Sequence, residues 1–249
     1  MSVARELARE LDRRLRAASD RERKRFTEGY FPSALENLGV GAPVQHRLAR
    51  EFARRLAGES PAGVLAFTRA VLAQRTLEGR QVAYLVLQRR AEALASFSAT
   101  VIEALGRGID NWASVDTFAC SVAGPAWRDG RVRDSDVRRW SRARDRWWRR
   151  TALVATVPLN AAARGGSGDA RRTLAVCRAL AAERDDMVVK ALSWALRALG
   201  ARAPGSVRAF LAEHGDVLHA RVVREVRNKL TTGRKTPARR AAWPAAGRA

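Results

Sequence analysis

Apolar residues recur along the chain at helical spacing, in short segments separated by turn residues. From Met187 to Gly200 they return every three or four positions, whereas no convincing segment alternates with the two-residue period of a strand. Ser60 before Pro61, Asp185-Asp186 before Met187 and Gly205-Ser206 before Val207 are typical helix starts. The pattern predicts an all-α protein of about a dozen short helices.

Turn clusters predict where these helices are interrupted. The sequences GVGAP at 39–43, GPAWRDG at 124–130 and RGGSGD at 164–169 combine glycine with proline or small polar residues. Each short helix can bury only one apolar stripe, so many helices in series favour antiparallel pairs stacked as a HEAT-like solenoid.

An internal repeat supports the solenoid. Arg150 and Lys190 each open a similar small-apolar helix pattern 40 residues apart, within the range of HEAT repeats. Asp116, 34 residues before Arg150, is a candidate for the equivalent position one unit earlier. We therefore expect a solenoid domain over residues 1–230.

The last residues, 231–249, lose the apolar face. They contain glycine, two prolines and several basic residues, which predicts a basic, disordered tail. Such a tail either contacts phosphates non-specifically or is a solvated terminus, and the sequence favours neither.

Composition indicates a folded protein that needs no disulfide. The chain has 249 residues, 47% of them hydrophobic, and Cys120 and Cys177 each lie in an apolar stretch. The N-terminus is a charged amphipathic pattern and no later segment has about 18 consecutive apolar residues. We expect a cytoplasmic monomer that neither is secreted nor spans a membrane.

The formal net charge of +22 indicates a polyanionic partner such as nucleic acid. Most of the basic residues are arginine, and the chain is rich in alanine and glycine, a composition that a GC-rich genome also produces. Acidic residues nevertheless leave the charge unbalanced, which favours nucleic-acid binding.

Standard catalytic signatures are absent from the sequence. It contains no phosphate-binding loop of the Walker type, no H-E-x-x-H and no G-x-S-x-G. His46 stands alone, and His214 and His219 flank a Gly-Asp turn, where surface positions are expected more often than metal ligation. We expect neither a metal nor a cofactor.

Trp112 and Asp116 form the first candidate pair. A spacing of four residues places both side chains on one face of a helix that begins near Asp110 or Asn111. An aromatic plate would then lie beside a carboxylate. The alternative is that Trp112 belongs to the core and Asp116 is solvated or salt-bridged.

Two further regions combine cations with tryptophan. Residues 138–150 contain seven arginines and three tryptophans against one acid, a composition suited to phosphate contact with stacking, although some of these tryptophans must be core. Lys190 and Trp194 repeat the i, i+4 pairing of polar group and aromatic. The candidate DNA contacts are Arg149, Arg150, Trp148, Lys190, Arg197 and Arg227.

These segments resemble the AlkD-like DNA glycosylases, a bacterial family of HEAT-like repeat proteins. The matching motifs are W-x-x-x-D at 112–116, W-x-x-R-x-A at 147–152 and K-A-x-x-W-x-L-R at 190–197, with a similar early-repeat segment at 38–47. The resemblance spans roughly residues 25–230.

The resemblance implies a C-shaped solenoid whose basic concave face binds double-stranded DNA. It implies removal of cationic N3- or N7-alkylated purines without a base-flipping pocket, so that bulky adducts are accepted. Asp116 would be the catalytic carboxylate, Trp112 and Trp194 aromatic plates at the lesion, and Arg150 a phosphate clamp. Arg149, the neighbour of Arg150, is an alternative for that clamp.

The sequence is also compatible with two other functions. One is a non-catalytic HEAT-like protein that binds bent or branched DNA, against which the presence of Asp116 argues. The other is a solenoid that binds an acidic protein partner and keeps its tryptophans in the core. Salt-dependent binding to duplex DNA would separate the acidic-protein binder from both DNA-binding functions, the glycosylase and the non-catalytic protein.

Overall fold

Sixteen α-helices follow one another along residues 3–236, the part of the chain that the computed structural model describes. They are α1 (Val3–Ala17), α2 (Arg21–Tyr30), α3 (Ala42–Arg55), α4 (Pro61–Ala73), α5 (Leu77–Arg89), α6 (Ala91–Ala95), α7 (Ala99–Gly106), α8 (Trp112–Phe118), α9 (Gly124–Arg128), α10 (Asp134–Ser141), α11 (Arg146–Val154), α12 (Val157–Asn160), α13 (Ala170–Ala179), α14 (Asp186–Gly200), α15 (Pro204–His214) and α16 (Ala220–Thr232). The described range contains no β-strand beyond an isolated bridge between Glu36 and Thr76. The prediction of an all-α fold is confirmed.

Side-chain caps begin the helices where the sequence predicted them. The Ser60 hydroxyl accepts a hydrogen bond from the Gly63 N–H, and the Asp185 carboxylate accepts one from the Met187 N–H. Asn111 caps α8 through the Ser114 N–H at 2.9 Å, so this helix starts at the predicted place. Each cap satisfies backbone donors that have no partner within the first turn.

Several predicted boundaries were wrong. Helix α15 begins at Pro204, so Gly205 and Ser206 lie inside its first turn. Proline tolerates the first helical position because its missing N–H would have no partner there. The cluster at 39–43 gives way to α3 at Ala42, and α16 continues through Thr232, inside the predicted tail. Residues 237–249 of that tail lie outside the described residues.

The segment 124–130, predicted as a turn, is mostly helical. Residues Ala119–Ala123 form a π-helical turn that joins α8 to α9, and the Gly124 N–H donates to the Ala119 carbonyl five residues earlier. Pro125 has no N–H to donate, and the wider turn accommodates it without ending the helix. A Cβ on Gly124 would lie 2.7 Å from the Ala155 carbonyl oxygen at the end of α11. Glycine at this position therefore permits α9 to approach the junction of α11 and α12 closely.

One row of helices runs through the molecule. In the order α3, α5, α8, α11, α14 and α16, each helix packs on the next, and α4, α10, α13 and α15 form part of a second layer. The apolar stripes meet between the layers, where Phe52, Phe67, Phe118 and Trp127 are fully buried. Successive pairing of neighbours along a row is the packing of a helical repeat protein.

The row also brings the repeat positions together. Asp116 lies on α8, Arg150 on α11 and Lys190 on α14, and each of these helices packs on the next. All three side chains line the same cleft. The sequence offset between them therefore corresponds to equivalent positions on neighbouring helices.

Candidate functional site

The main cleft has a volume of about 460 Å³ and contains most of the predicted site residues. Helices α8, α11 and α14 supply its centre, and residues from the end of α2 and from beyond α16 complete it. Its lining residues are Tyr30, Trp112, Asp116, Arg150, Met187, Lys190, Trp194, Arg197 and Lys235. One carboxylate is thus surrounded by four basic side chains and three aromatic rings.

Asp116 is held by a two-pronged ion pair with Arg150. The guanidinium donates from Nε to Oδ1 and from Nη2 to Oδ2, both at 2.9 Å, and from Nη1 to the Met187 carbonyl. The Arg150 side chain is 6% exposed and that of Asp116 is 20% exposed. Each carboxylate oxygen keeps a further lone pair, so Asp116 remains able to act on a group in the cleft.

The electrostatic environment of Asp116 is mixed. Burial raises the pKa of this carboxyl above its ordinary value, and the hydrogen bonds and charge of Arg150 oppose that rise. The charge of Arg164 acts in the same direction as Arg150. The carboxylate is therefore partly stripped of water but kept in place by a fixed cation.

Trp112 stands one turn before Asp116, as the spacing predicted. Its ring makes edge contacts with Tyr30, at 5.7 Å between centroids, and with Phe31, at 5.2 Å. Trp112 is half-buried, and its free surface lines the cleft. Trp112 is thus neither fully in the core nor fully exposed. Its ring packs on Tyr30 and Phe31, and its remaining surface faces the cleft beside Asp116.

Asp110 fixes the segment that carries Tyr30 and Phe31. Its carboxylate accepts hydrogen bonds from the Ser33 hydroxyl at 2.7 Å and from the Ala34 N–H. Burial would raise the pKa of Asp110, but these bonds and one from Asn111 hold it below the ordinary value. The chain after α2 is thereby tied to the start of α8.

The opposite wall comes from α14. Trp194 and Lys190 share one helix face, with Arg197 one turn further. Lys190 pairs with Asp186 at 2.7 Å on the exposed surface, whereas Arg197 is half-buried and donates from Nε to the Ser193 hydroxyl at 3.2 Å. Burial lowers the pKa of Arg197, with the charge of Glu225 opposing, so an anion in the cleft would stabilise this cation.

A second opening, the middle cleft, continues from the main cleft. It has a volume of about 490 Å³ and shares Asp116 and Trp194 with the main cleft. Its other walls include His46 from α3, Gln81 and Arg89 from α5, and Arg164. Asp116 is therefore accessible from a groove that extends across several helices of the row.

Comparison with known proteins agrees with this architecture. The family model of the DNA alkylation repair enzymes matches residues 11–230. This chain belongs to that family.

A solved structure of a predicted DNA alkylation repair enzyme from Enterococcus faecalis has the same fold. It superposes with a TM-score of 0.66 at 18% sequence identity, covering 86% of this chain and 97% of that one. No curated protein matches the sequence significantly. Family membership thus connects the chain with the repair of alkylated DNA, and the fold is shared at low identity.

Three of the predicted DNA contacts, Trp148, Arg149 and Arg227, lie outside the main cleft. Trp148 packs inward, with its ring 5.4 Å from Trp140 and 6.3 Å from Phe118. Trp148 is partly buried and packs against the core, so the alternative that some of these tryptophans pack inward is favoured for it. Arg227 is exposed on α16 and lines none of the described clefts.

Arg149 and Arg150 point in different directions. Arg149 pairs with Glu183 at 2.7 Å and donates to the Ala143 and Arg144 carbonyls, away from the cleft. Arg150 enters the cleft, but its guanidinium is occupied by Asp116 and Met187. Three of the five N–H donors of this buried guanidinium are used in this way, which favours a role in positioning the Asp116 carboxylate, and the phosphate clamp stays a prediction.

Sequence reasoning missed three cleft residues, Tyr30, Met187 and Lys235. Tyr30 ends a helix without buried residues, and Lys235 falls in the segment assigned to the tail. The exposed pair Phe26 and Tyr30, four apart on a basic helix, was the available signal for Tyr30.

Residues 3–236 contain no cluster of three or more His, Cys, Asp or Glu side chains placed to hold a metal ion. Over the same range, no helix has the length and apolar character to cross a membrane.

Proposed function

We propose that this protein is a DNA glycosylase that hydrolyses the N-glycosidic bond of cationic N3- or N7-alkylated purines in double-stranded DNA, bulky adducts included. The observation that carries the proposal is the Asp116 carboxylate, fixed by Arg150 in an open cleft between Trp112 and Trp194. Membership of the DNA alkylation repair enzyme family supports the same conclusion.

The chemistry follows from the charge of the substrate. An N3- or N7-alkylated purine is already cationic, so the base leaves without being protonated and no general acid is needed. Positive charge then develops on the sugar, where a preorganised carboxylate stabilises it and orients the attacking water. If this effect resembles that of one oxyanion-hole donor, it lowers the barrier by roughly 3 to 4 kcal/mol.

The remaining lining residues suit a grip on the DNA backbone. Trp112, Trp194 and Tyr30 offer apolar faces to a deoxyribose, and Lys190, Arg197 and Lys235 offer charge to its phosphates. None of these contacts reads a base edge. Recognition through sugar and phosphate leaves space for a bulky group on the base.

Single-turnover base release from matched duplexes tests the proposal. One duplex carries 7-methylguanine, one a bulky cationic N7 or N3 adduct, and one a neutral lesion such as uracil or 8-oxoguanine. We expect release of both cationic bases at similar rates and no release of the neutral one. Efficient uracil removal, or strong exclusion of the bulky adduct, would show an enclosing base pocket and a different mechanism.

Asp116→Asn is the matched variant, because the amide has nearly the same shape without the charge. We expect a loss of about 10²- to 10³-fold in the rate of base release, with duplex affinity nearly unchanged. Wild-type rates in this variant would remove Asp116 from the mechanism. Salt-dependent duplex binding by a wild-type protein that releases no base would favour the non-catalytic DNA-binding function.

A further inference from the structure

A third opening, the arginine cleft, lies at the ends of α3 and α5. It has a volume of about 460 Å³ and is lined by Arg50, Arg54, Arg89 and Arg90, with two alanines between them. No acidic residue is part of its lining. Four guanidinium groups around one opening repel each other unless an anion occupies the space.

The arginines of α3 differ by face. On the face towards α1, Arg55 pairs with Glu10, and Glu51 pairs with Arg14. On the cleft face, Arg50 and Arg54 form no ion pair within the described part of the chain, nor does Arg89 of α5. Three of the four arginines that line the opening therefore have no carboxylate partner in the described part of the chain.

The two arginines at the end of α5 use part of their hydrogen-bonding capacity within the protein. Arg89 donates to the Leu85 carbonyl at 2.9 Å, and Arg90 donates to the Ala57 carbonyl at 3.0 Å, which closes the cleft between the helices. The Nε of Arg90 is buried and has no hydrogen-bond partner. Its nearest carboxylate, Glu92, is 3.9 Å away and 86% exposed, so that pair contributes little.

This cleft continues the groove that contains Asp116. Arg89 lines both the arginine cleft and the middle cleft, and the middle cleft shares Asp116 with the main cleft. His46, Arg50 and Arg54 follow one another at four-residue spacing and so form one stripe along α3. The stripe leads from the middle cleft into the arginine cleft.

We infer that the arginine cleft binds phosphates of the DNA backbone several nucleotides from the lesion, and so extends the footprint of the enzyme along one side of the duplex. Guanidinium groups match phosphate oxygens in a bidentate geometry, and unpaired cations in line with a groove suit a polymer of regular charge. The inference rests on the proposed function for the identity of the ligand. It assigns this cleft to affinity rather than to chemistry, because no side chain in it reaches Asp116.

Salt dependence of binding to undamaged duplex tests the inference. Arg50 and Arg54 are exposed, so alanine at either position leaves the core intact. We expect the slope of log K against log salt to become shallower by about 1 for Arg54→Ala and by about 2 for Arg50→Ala/Arg54→Ala. The matched control is Arg208→Ala, an exposed arginine on α15 that lines none of the three clefts, for which the slope stays unchanged.

Duplex length gives the position of the contact. Shortening the duplex on one side of a fixed lesion should weaken wild-type binding and remove the difference between the wild type and the double variant. Shortening it on the other side should preserve that difference. Equal effects of both truncations, or an unchanged slope in the double variant, would overturn the inference.

His46 provides a local readout that does not depend on a substitution. Burial lowers the pKa of this imidazole, and the charges of Arg89 and Arg50 lower it further. A phosphate between these groups should raise the pKa of His46, which NMR titration of the free and duplex-bound protein measures. An unchanged His46 pKa in the saturated complex would contradict the inference.

Two comparisons separate this inference from its alternatives. If the double variant loses binding to polyglutamate as strongly as to duplex, the cleft is a site for an acidic protein, and the inference is wrong. Because undamaged duplex needs no base release, failure of the proposed chemistry would leave the slope changes in place. Normal base release with unchanged slopes would overturn the arginine cleft alone.

Discussion

Arg150 grips both oxygens of Asp116, with Nε to Oδ1 and Nη2 to Oδ2 each at 2.9 Å, although the two residues are 34 positions apart. Its third nitrogen donates to the Met187 carbonyl of α14. One guanidinium therefore fixes the orientation of the carboxylate relative to both neighbouring helices. This relationship makes Arg150 a positioning residue in the proposed mechanism.

Arg150→Lys should preserve a positive charge but lose the two-pronged grip. We expect a decrease of about tenfold or more in single-turnover base release, since a misplaced catalytic group costs this much or more. The slope of duplex binding against salt should stay unchanged, because no phosphate contact is lost. A slope shallower by about 1 would instead return Arg150 to the role of phosphate clamp.

Arg150→Ala tests how much the Arg150–Asp116 ion pair contributes to the stability of the fold. It leaves a mostly buried carboxylate without its partner, and we expect a loss of about 3 kcal/mol in the free energy of unfolding. Urea denaturation measures this change. Stability equal to that of the wild type would mean that the ion pair contributes no net stabilisation.

The rate of base release should depend on pH through Asp116. Only the ionised carboxylate stabilises positive charge on the sugar, so the rate falls as pH decreases through the pKa of Asp116. Burial raises that pKa, so the midpoint should lie above the ordinary aspartate value of about 3.9. Single-turnover release from a 7-methylguanine duplex, corrected for spontaneous loss of the base, gives the profile.

Asp116→Asn supplies the control for this profile, since its residual rate should lose the acidic limb. The raised pKa of Asp116 also makes the free energy of unfolding depend on pH, but in the opposite direction to the rate of base release. Protonated Asp116 favours the folded state below the pKa of the unfolded chain, and this contribution disappears as pH rises through the folded-state pKa. An acidic limb that persists in Asp116→Asn would assign the titration to another group.

Trp148 and Trp112 should give opposite phenotypes. Trp148→Ala removes a ring packed against Phe118 and Trp140, and we expect a loss of roughly 3 kcal/mol in unfolding free energy with little change in DNA affinity of the folded protein. Trp112→Ala should reduce base release with a smaller loss of stability. Urea denaturation, duplex binding and single-turnover release on both variants check the split. Normal stability with weakened DNA binding in Trp148→Ala would restore Trp148 as a DNA contact.

Asp110→Ala should loosen the edge of the main cleft. The variant loses the hydrogen bonds to Ser33 and Ala34, so Tyr30 and Phe31 are held less firmly against Trp112. We expect base release to slow several-fold and unfolding free energy to fall by about 1 to 2 kcal/mol. Hydrogen exchange should become faster in residues 30–35 and stay unchanged in α14.

The pH dependence of stability distinguishes Asp110 from a passive surface residue. Because its pKa is lowered in the folded state, Asp110 stabilises the fold above the pKa of the unfolded chain, and this contribution is lost as pH falls through the folded-state value. The variant should lose stability relative to the wild type near neutral pH and approach it in acid. A difference that is constant with pH would contradict this role.

The sequence by itself determined the fold class and most of the main cleft. Helical periodicity and caps such as Asn111 and Asp185 are local, so they are readable from neighbouring residues. The pairing of Trp112 with Asp116, and of Lys190 with Trp194, depends only on the pitch of one helix. The repeat offset then predicted which helices carry equivalent positions, and the structure places these positions side by side.

Only the tertiary structure decided what depends on which surfaces meet. Arg149 and Arg150 are adjacent in sequence and equal in chemistry, and the rotation of α11 against α8 and α14 turns one towards Glu183 and the other towards Asp116. Trp148 packs against the core for the same reason. Tyr30 reached the cleft because Asp110 ties a distant segment to α8, and the arginines of α3 and α5 became a cleft because those helices pack together. A sequence pattern fixes the face of a helix, but the identity of the opposing face arises from long-range packing.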